Sequence, residues 1–483
     1  MNFEHQKTNE ILKWFEEISK IPRCSKNETA IAQWLLNWAK DNHFEAKSDQ
    51  VKNVLIKIPG SSGYENAPRV VLQGHMDMVC EKTPDSTHDF CKDPIKFVYD
   101  GDWLKADRTT LGADNGIALA MALTLALDKT TPHPPLELLF TVDEETGLTG
   151  ANSLEPGFID GRILINIDSE DEGTFTVGCA GGVDTNLSVP VASEPVPQGY
   201  QLLKVNAGGM KGGHSGIDIN KEKANAIKVL TQTLHAIKEM VDIRLVNIVG
   251  GTAHNAIPRD AESLIVVPQN DISRVKGIIA EVEKTLKDEF KNTDPDLFIK
   301  GTESGDTFNQ ALTSGETDKC IDFITVMPHG VSAMSTDIQG LVETSNNLAR
   351  VRIEDGQVKV LTSQRSSVIS RLRAHTNRIE ATARIAGGTA QSGKGYPPWQ
   401  PNMNSPLLAK SLAIYERMYN KKPIVEVIHA GLECGIIGDK YPGMDMISIG
   451  PTLRFPHSPD EKLFLPSIGM VWDFLAELFK EIK

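Results

Sequence analysis

The chain has 483 residues, 40% hydrophobic and 24% charged, too long for one hydrophobic core, so two or three globular domains are expected. A formal net charge of −14 without any basic run argues against a nucleic-acid partner. No apolar run is long enough to cross a bilayer, and the acid-bearing amphipathic start MNFEHQKTNEILKWFEEISKI is not a secretory signal.

The expectation is therefore a cytoplasmic protein with no membrane partner. Cys24, Cys80, Cys91, Cys179, Cys320 and Cys434 lie far apart without C-x-x-C spacing, which predicts free thiols in a reducing compartment and no thiolate zinc site.

Along the chain, the first third alternates strand-like and helix-like runs. The strands are RVVLQGH (69–75), PLELLFTV (135–142) and RILINID (162–168), with a helix GIALAMALTLALDK (116–129) between the first two. This is an α/β pattern: a mixed, largely parallel sheet with helices on both faces. After GCAGGVDTNLSV (178–189) the strands lengthen and alternate, and two amphipathic helices are expected near 221–240 and 272–290. The Asp-Gly turn in VRIEDGQVKVLTSQRSS (351–367) predicts an antiparallel hairpin, so this middle part is an α+β insert. GGTAQSGKGYPPWQPN (387–402) is a Gly- and Pro-rich return linker, after which SPLLAKSLAIYERMY and MDMISIG resume the first pattern. The predicted organisation is a first domain in two parts, 1–183 and 397–483, interrupted by an inserted domain, 184–396.

Ligands of open α/β sheets bind beyond the carboxyl ends of the strands, where residues distant in sequence converge. Those ends carry His75 and Asp77 in GHMD, Asp114 in LGADNG, Glu144 and Glu145 in VDEETG, Asp168 in NIDSE, and His457 in the loop GPTLRFPHSPDE. Taken singly, Asp114 reads as a helix N-cap, the two glutamates as first-turn acids, and the histidines as structural. Taken together, they would pile uncompensated negative charge at one sheet edge, which calls for a cation. Imidazole and carboxylate donors without cysteine suit Zn²⁺, Mn²⁺ or Co²⁺. The set is large enough for two metals roughly 3.5–4 Å apart, an arrangement that performs hydrolysis. Asp77, two residues after His75, can hydrogen-bond the ring nitrogen that does not hold metal, and one of Glu144 and Glu145 is left to act as general base.

These motifs resemble the metal-dependent exopeptidases that include cytosolic dipeptidases, tripeptidase T, glutamate carboxypeptidase and aminoacylase. The match covers nearly the whole chain. GHMDMV, LGADNGIA, DEETGLTGA, NIDSE, KGGHSGIDI, HAGLECG and FPHSPDE are most similar to the aminoacyl-histidine dipeptidase, or peptidase D, branch. The resemblance implies two Zn²⁺ per subunit, with Co²⁺ or Mn²⁺ as substitutes. His75, Asp114 and Asp168 would hold one, Asp114, Glu145 and His457 the other, with Asp114 bridging and Glu144 as general base. It also implies a cis peptide at Asp114–Asn115 and a lid and dimerisation role for the insert. There, His214 in GGMKGGHSGID would stabilise the oxyanion, Asn255 in GTAHNAIPRD would contact substrate, and Arg365 in LTSQRSS would clamp the substrate carboxylate. Arg371 and Arg373 lie close by in sequence.

The function so implied is hydrolysis of aminoacyl dipeptides, including Xaa-His (carnosine-like) ones. Tripeptidase, N-acyl amino acid deacylase or carboxypeptidase activity on the same metals stays open, because pocket lining has no sequence spacing. A binding protein that had lost catalysis would lack a ligand or the base, and none is missing here.

Overall fold

In the computed structural model, residues 4–304, 308–336 and 338–483 are described. Every residue of the strands Val70–His75 and Leu136–Thr141 is buried, as expected where both faces of a sheet are covered, so these apolar runs need no polar alternation. They belong to an eight-stranded sheet in the order Glu45–Ser48, Val54–Ile58, Leu136–Thr141, Val70–His75, Ile163–Ile167, Asp445–Ile449, Thr174–Cys179, Ile424–Ile428, counted among the described residues. The four central strands are mutually parallel, and antiparallel pairs flank them. Their carboxyl ends, at His75, Thr141, Ile167 and Ile449, therefore lie along one edge.

The helix Ala113–Leu127 packs on strand Val70–His75, and helix Pro406–Tyr419, capped by Ser405, packs on strand Asp445–Ile449. These elements form a unit made of the chain up to Cys179, Trp399–Val427 and Leu432–Lys483. No described helix is long and apolar enough to cross a membrane.

The second unit, Ala180–Pro398 with Ile428–Gly431, is built on an antiparallel sheet. Its core joins the helices Ala226–Lys238, Ile272–Glu289, Ser314–Val326 and Ile369–Ile385 to one sheet face, around Ile227, Leu230, Leu245, Ile265, Ile321 and Val360. The predicted hairpin is Val342–Glu354 paired with Gln357–Ser366, turning at Asp355 (φ 53°) and Gly356 (φ 67°). Two expectations fail. The stretch 387–402 is more than a linker: Thr389–Ser392 adds an edge strand to Gly181–Pro190. Cys24 and Cys80, 56 residues apart, form a disulfide, leaving Cys91, Cys179, Cys320 and Cys434 as thiols. Linear spacing hid that pair because the fold joins the two segments, with the Met78 amide donating to the Arg23 carbonyl.

Candidate metal centre

The side chain of Asp114 faces two histidines at once. Its Oδ1 lies 3.0 Å from His75 Nε2, and its Oδ2 lies 3.1 Å from His457 Nε2. A further carboxylate sits on each side: Asp168 Oδ1 is 3.5 Å from His75 Nε2, and Glu145 Oε2 is 3.0 Å from His457 Nε2. Asp114 is no helix cap, since Gly112 holds the N-cap position and Asp114 and Asn115 depart from helical geometry across a cis peptide. Asn115 instead joins neighbouring strand ends, accepting from the His75 amide at 3.1 Å and donating to the Ile167 carbonyl at 2.6 Å. His457 has a left-handed backbone (φ 60°), an uncommon conformation for a residue with a β-carbon.

Asp77 does more than orient its neighbour. Its Oδ1 accepts from His75 Nδ1 at 3.2 Å and from the Glu144 amide at 3.0 Å, while Oδ2 accepts from Ser25 Oγ at 2.8 Å and from the Glu145 amide at 3.3 Å. Burial alone would raise this carboxyl, but the hydrogen bonds and charge of His75 outweigh it and hold it at about 2. One aspartate thus fixes the tautomer of a donor and the backbone beneath both glutamates.

The electrostatics of the cluster are those of a cation site. Hydrogen bonds to Asp114 and Glu145 push His457 up to about 11. His75 is raised well above its ordinary value, because Asp168, Asp114 and Asp77 overcome the effect of burial. Glu145 Oε1 is buried without a hydrogen-bond partner, and His75, Asp114 and Glu145 place donor atoms within 4.8 Å of one another. Glu144 is raised well above the carboxylate range by burial, with Asp168 and Glu145 adding to the effect and His75 opposing it. The donors present fit borderline divalent metals.

Three residues around this cluster escaped the sequence reading. Glu461 accepts four backbone amides: Leu111 (2.7 Å) and Gly112 (2.9 Å) on Oε2, Ala113 (2.8 Å) and Asp114 (3.2 Å) on Oε1. Arg23, 2% exposed, donates to the carbonyls of Met76 (3.0 Å), Asp77 (2.9 Å) and Gly112. Glu433, from HAGLECG, accepts from Gln73 Nε2 (2.6 Å) and Thr141 Oγ1 (2.7 Å) beneath the strand ends. For Glu461 the only sequence signal is its place four residues after His457.

In the second unit, His214 Nδ1 accepts from the amides of Gly216 (3.2 Å) and Ile217 (3.3 Å), which leaves the ring proton on Nε2. His214 pairs with Ala256 across a two-residue ladder, and the Asn255 carbonyl accepts from the Ser215 amide at 2.8 Å. Arg365 is 6% exposed; its Nη1 donates to Tyr396 Oη at 2.9 Å and its Nε is buried without a partner. Its cross-strand neighbour Ser345 bonds His429 Nε2 at 2.7 Å. Arg371, by contrast, is 53% exposed and paired with Glu343.

Residues 71–481 match the model of peptidase family M20/M25/M40. The chain belongs to this family. It is accordingly a metallopeptidase, a hydrolase of the dipeptidase kind. The cytosol non-specific dipeptidase of Escherichia coli (strain K12) is 41% identical over 97% of this chain and 96% of its own. The crystal structure of the aminoacylhistidine dipeptidase of Vibrio alginolyticus superposes with a TM-score of 0.90 at 38% identity, covering 98% of this chain and 96% of the other. The M20 fold extends to aminopeptidase PepT of Bacillus cereus, at a TM-score of 0.56 and 15% identity over 98% of both chains.

Proposed function

We propose that this chain is a cytoplasmic di-zinc dipeptidase acting on aminoacyl dipeptides, including those with a C-terminal histidine. The observation that carries the reading is the division of Asp114, with one oxygen toward His75 and Asp168 and the other toward His457 and Glu145. His75, Asp114 and Asp168 would hold one ion, Asp114, Glu145 and His457 the second. Two divalent cations bound there supply Lewis acidity and a nucleophile from water at neutral pH.

Glu144 takes a proton from the attacking water and passes it to the leaving amine. A carboxylate at this place, beside the donors, can both accept a proton and return it. Asp77 keeps His75 in the tautomer that presents Nε2. His214, with its proton on Nε2, is a donor for the developing oxyanion, and Asn255 is assigned to substrate contact. Arg365, with a buried unpaired Nε, recognises the peptide's carboxylate through a guanidinium fork. The second unit is in this reading the substrate-recognition and self-association module of a homodimer.

The relatives named dipeptidases support the substrate class. The test is a panel of β-alanyl-histidine and other Xaa-His dipeptides, dipeptides with other C-terminal residues, tripeptides and N-acetyl amino acids, assayed with Zn²⁺, Co²⁺ and Mn²⁺. Dipeptides should be cleaved well above the other classes. Preference for tripeptides or acetylated amino acids would reassign the substrate while leaving the metals.

A further inference from the structure

Glu461 and Arg23 grip opposite sides of one peptide stretch. Glu461 accepts the Gly112 amide and Arg23 donates to the Gly112 carbonyl, so the loop that ends in Asp114 is held from both edges. Each also ties that stretch to a different part of the metal cluster, Glu461 through its own backbone and Arg23 through the other nitrogen of its guanidinium. Glu461 follows His457 in the same loop, with the Glu461 amide donating to the Ser458 carbonyl. Arg23 holds the carbonyls of Met76 and Asp77, directly after His75. Asn115 and Asp77 tie other parts together, but neither joins the His457 loop to the Asp114 loop.

The neighbouring glycines carry the imprint of this arrangement. Gly112 lies at φ 69°, and a β-carbon there would stand 2.6 Å from Arg23 Nη2 and 2.6 Å from Met78 Sδ. One on Gly116 would stand 2.5 Å from Arg23 Nη2 and 2.8 Å from Phe15 Cε2. The spacing of LGADNG thus leaves room for a buried guanidinium. Four N–H donors on a single carboxyl group also dictate its chemistry: both oxygens serve as acceptors, so neither a neutral amide nor a shorter side chain replaces it.

We propose that Glu461, backed by Arg23, is a positioning residue that sets the separation of Asp114 from His457 and thereby the affinity of the second metal position. The proposal rests on the metal reading above. It assigns unequal consequences to the two ions. The site of His457, Glu145 and Asp114 depends on the Glu461 link through two of its three ligands. The site of His75, Asp114 and Asp168 depends on it through Asp114 alone and keeps the Asn115 link.

The experiment is a zinc-buffered titration of the full chain, with bound Zn²⁺ counted and thermal unfolding recorded with and without metal, for the unchanged protein and Glu461→Gln. Residues that orient ligands from behind change metal affinity about 10–100-fold when altered. Glu461→Gln is expected to keep one tightly held Zn²⁺, to need at least tenfold more free Zn²⁺ for the second, and to gain less unfolding temperature from metal than the unchanged chain. A purely structural role lowers the metal-free and metal-loaded midpoints equally and leaves both affinities within twofold; that result overturns the proposal. Should Glu461→Gln not fold, Arg23→Lys is read the same way, because an ammonium keeps the charge without the planar fork. A threefold or larger loss at the second ion supports the brace, and unchanged affinity overturns it. Failure of the unchanged chain to bind Zn²⁺ overturns the metal reading itself, whereas two ions bound with equal affinity in all variants overturn only the brace.

Discussion

Glu144 has its backbone anchored independently of its carboxylate, since Asp77 accepts the Glu144 amide at 3.0 Å. Exchanging that carboxylate for an amide should therefore leave the donors in place and remove only proton transfer. Glu144→Gln is expected to bind two Zn²⁺ per chain while kcat falls about 10²–10⁴-fold, the usual worth of a general acid-base group. Metal content and kcat measured on one preparation decide this, and near-normal turnover removes Glu144 from the role. Arg365 makes a different kind of contribution, one to binding. Hydrogen bonds to a charged group are worth about 1.5–3 kcal/mol, so Arg365→Lys should raise KM for free dipeptides about tenfold or more. A dipeptide amide, which offers no carboxylate, should be hydrolysed alike by both proteins. If the free dipeptide also behaves alike, the clamp lies elsewhere. Asp77, predicted as the partner of His75, also supports both glutamate amides, and no spacing rule conveys that because its added partners are backbone groups.

At the level of elements, the parallel strands were legible because each is a short apolar run ending in a turn signal and a polar residue. The converging donors followed from the rule that such ends share an edge. The supports of those ends were not legible. Glu461 reaches amides 347–350 residues away, Arg23 reaches carbonyls, and neither kind of partner leaves a mark in sequence. The same holds for Cys24–Cys80, and for Thr389–Ser392, whose short, Gly-flanked run looks like a linker until it finds an edge. Two glycines do betray the hidden arginine. In an exposed helix, replacing glycine by alanine gains about 1 kcal/mol. Gly116 lies inside the helix Ala113–Leu127, yet its β-carbon would meet Arg23 Nη2 and Phe15, and Arg23 is held by three carbonyls and cannot swing aside. Overpacking costs about 1–3 kcal/mol, so the clash outweighs the propensity. Gly116→Ala should lower the urea midpoint; a raised midpoint would show that Arg23 is free to move.

Over the whole molecule, two reversible perturbations should act on different units. Removing metal leaves the carboxylates of Asp114, Glu145 and Asp168 facing each other across buried ground, with protonation of His75 and His457 as partial compensation. A ligand at about a thousand times its Kd contributes about 4 kcal/mol, so chelation should lower stability by several kcal/mol, and refilling should restore it. Acid should act on the second unit. Burial, helped by the charge of Arg365, lowers His429 to about 3, against an ordinary value near 6.5 for the unfolded chain. Between those values the unfolded chain holds a proton that the folded chain does not. The contribution is therefore intact above about pH 6.5 and is lost as pH falls, at about 1.4 kcal/mol per unit, or about 2 kcal/mol by pH 5. Hydrogen exchange, corrected for intrinsic rates, can locate each effect. Chelation at neutral pH should lower protection around 111–116 and 143–147, where the donors are carried. Moving metal-loaded protein from pH 7 to pH 5 should lower it along Val342–Glu354 and Gln357–Ser366, the strands carrying Ser345 and Arg365 beside His429. In His429→Gln, which cannot take up the proton, the acid response of those strands should shrink. An undiminished response would place the acid-sensitive group outside this pocket.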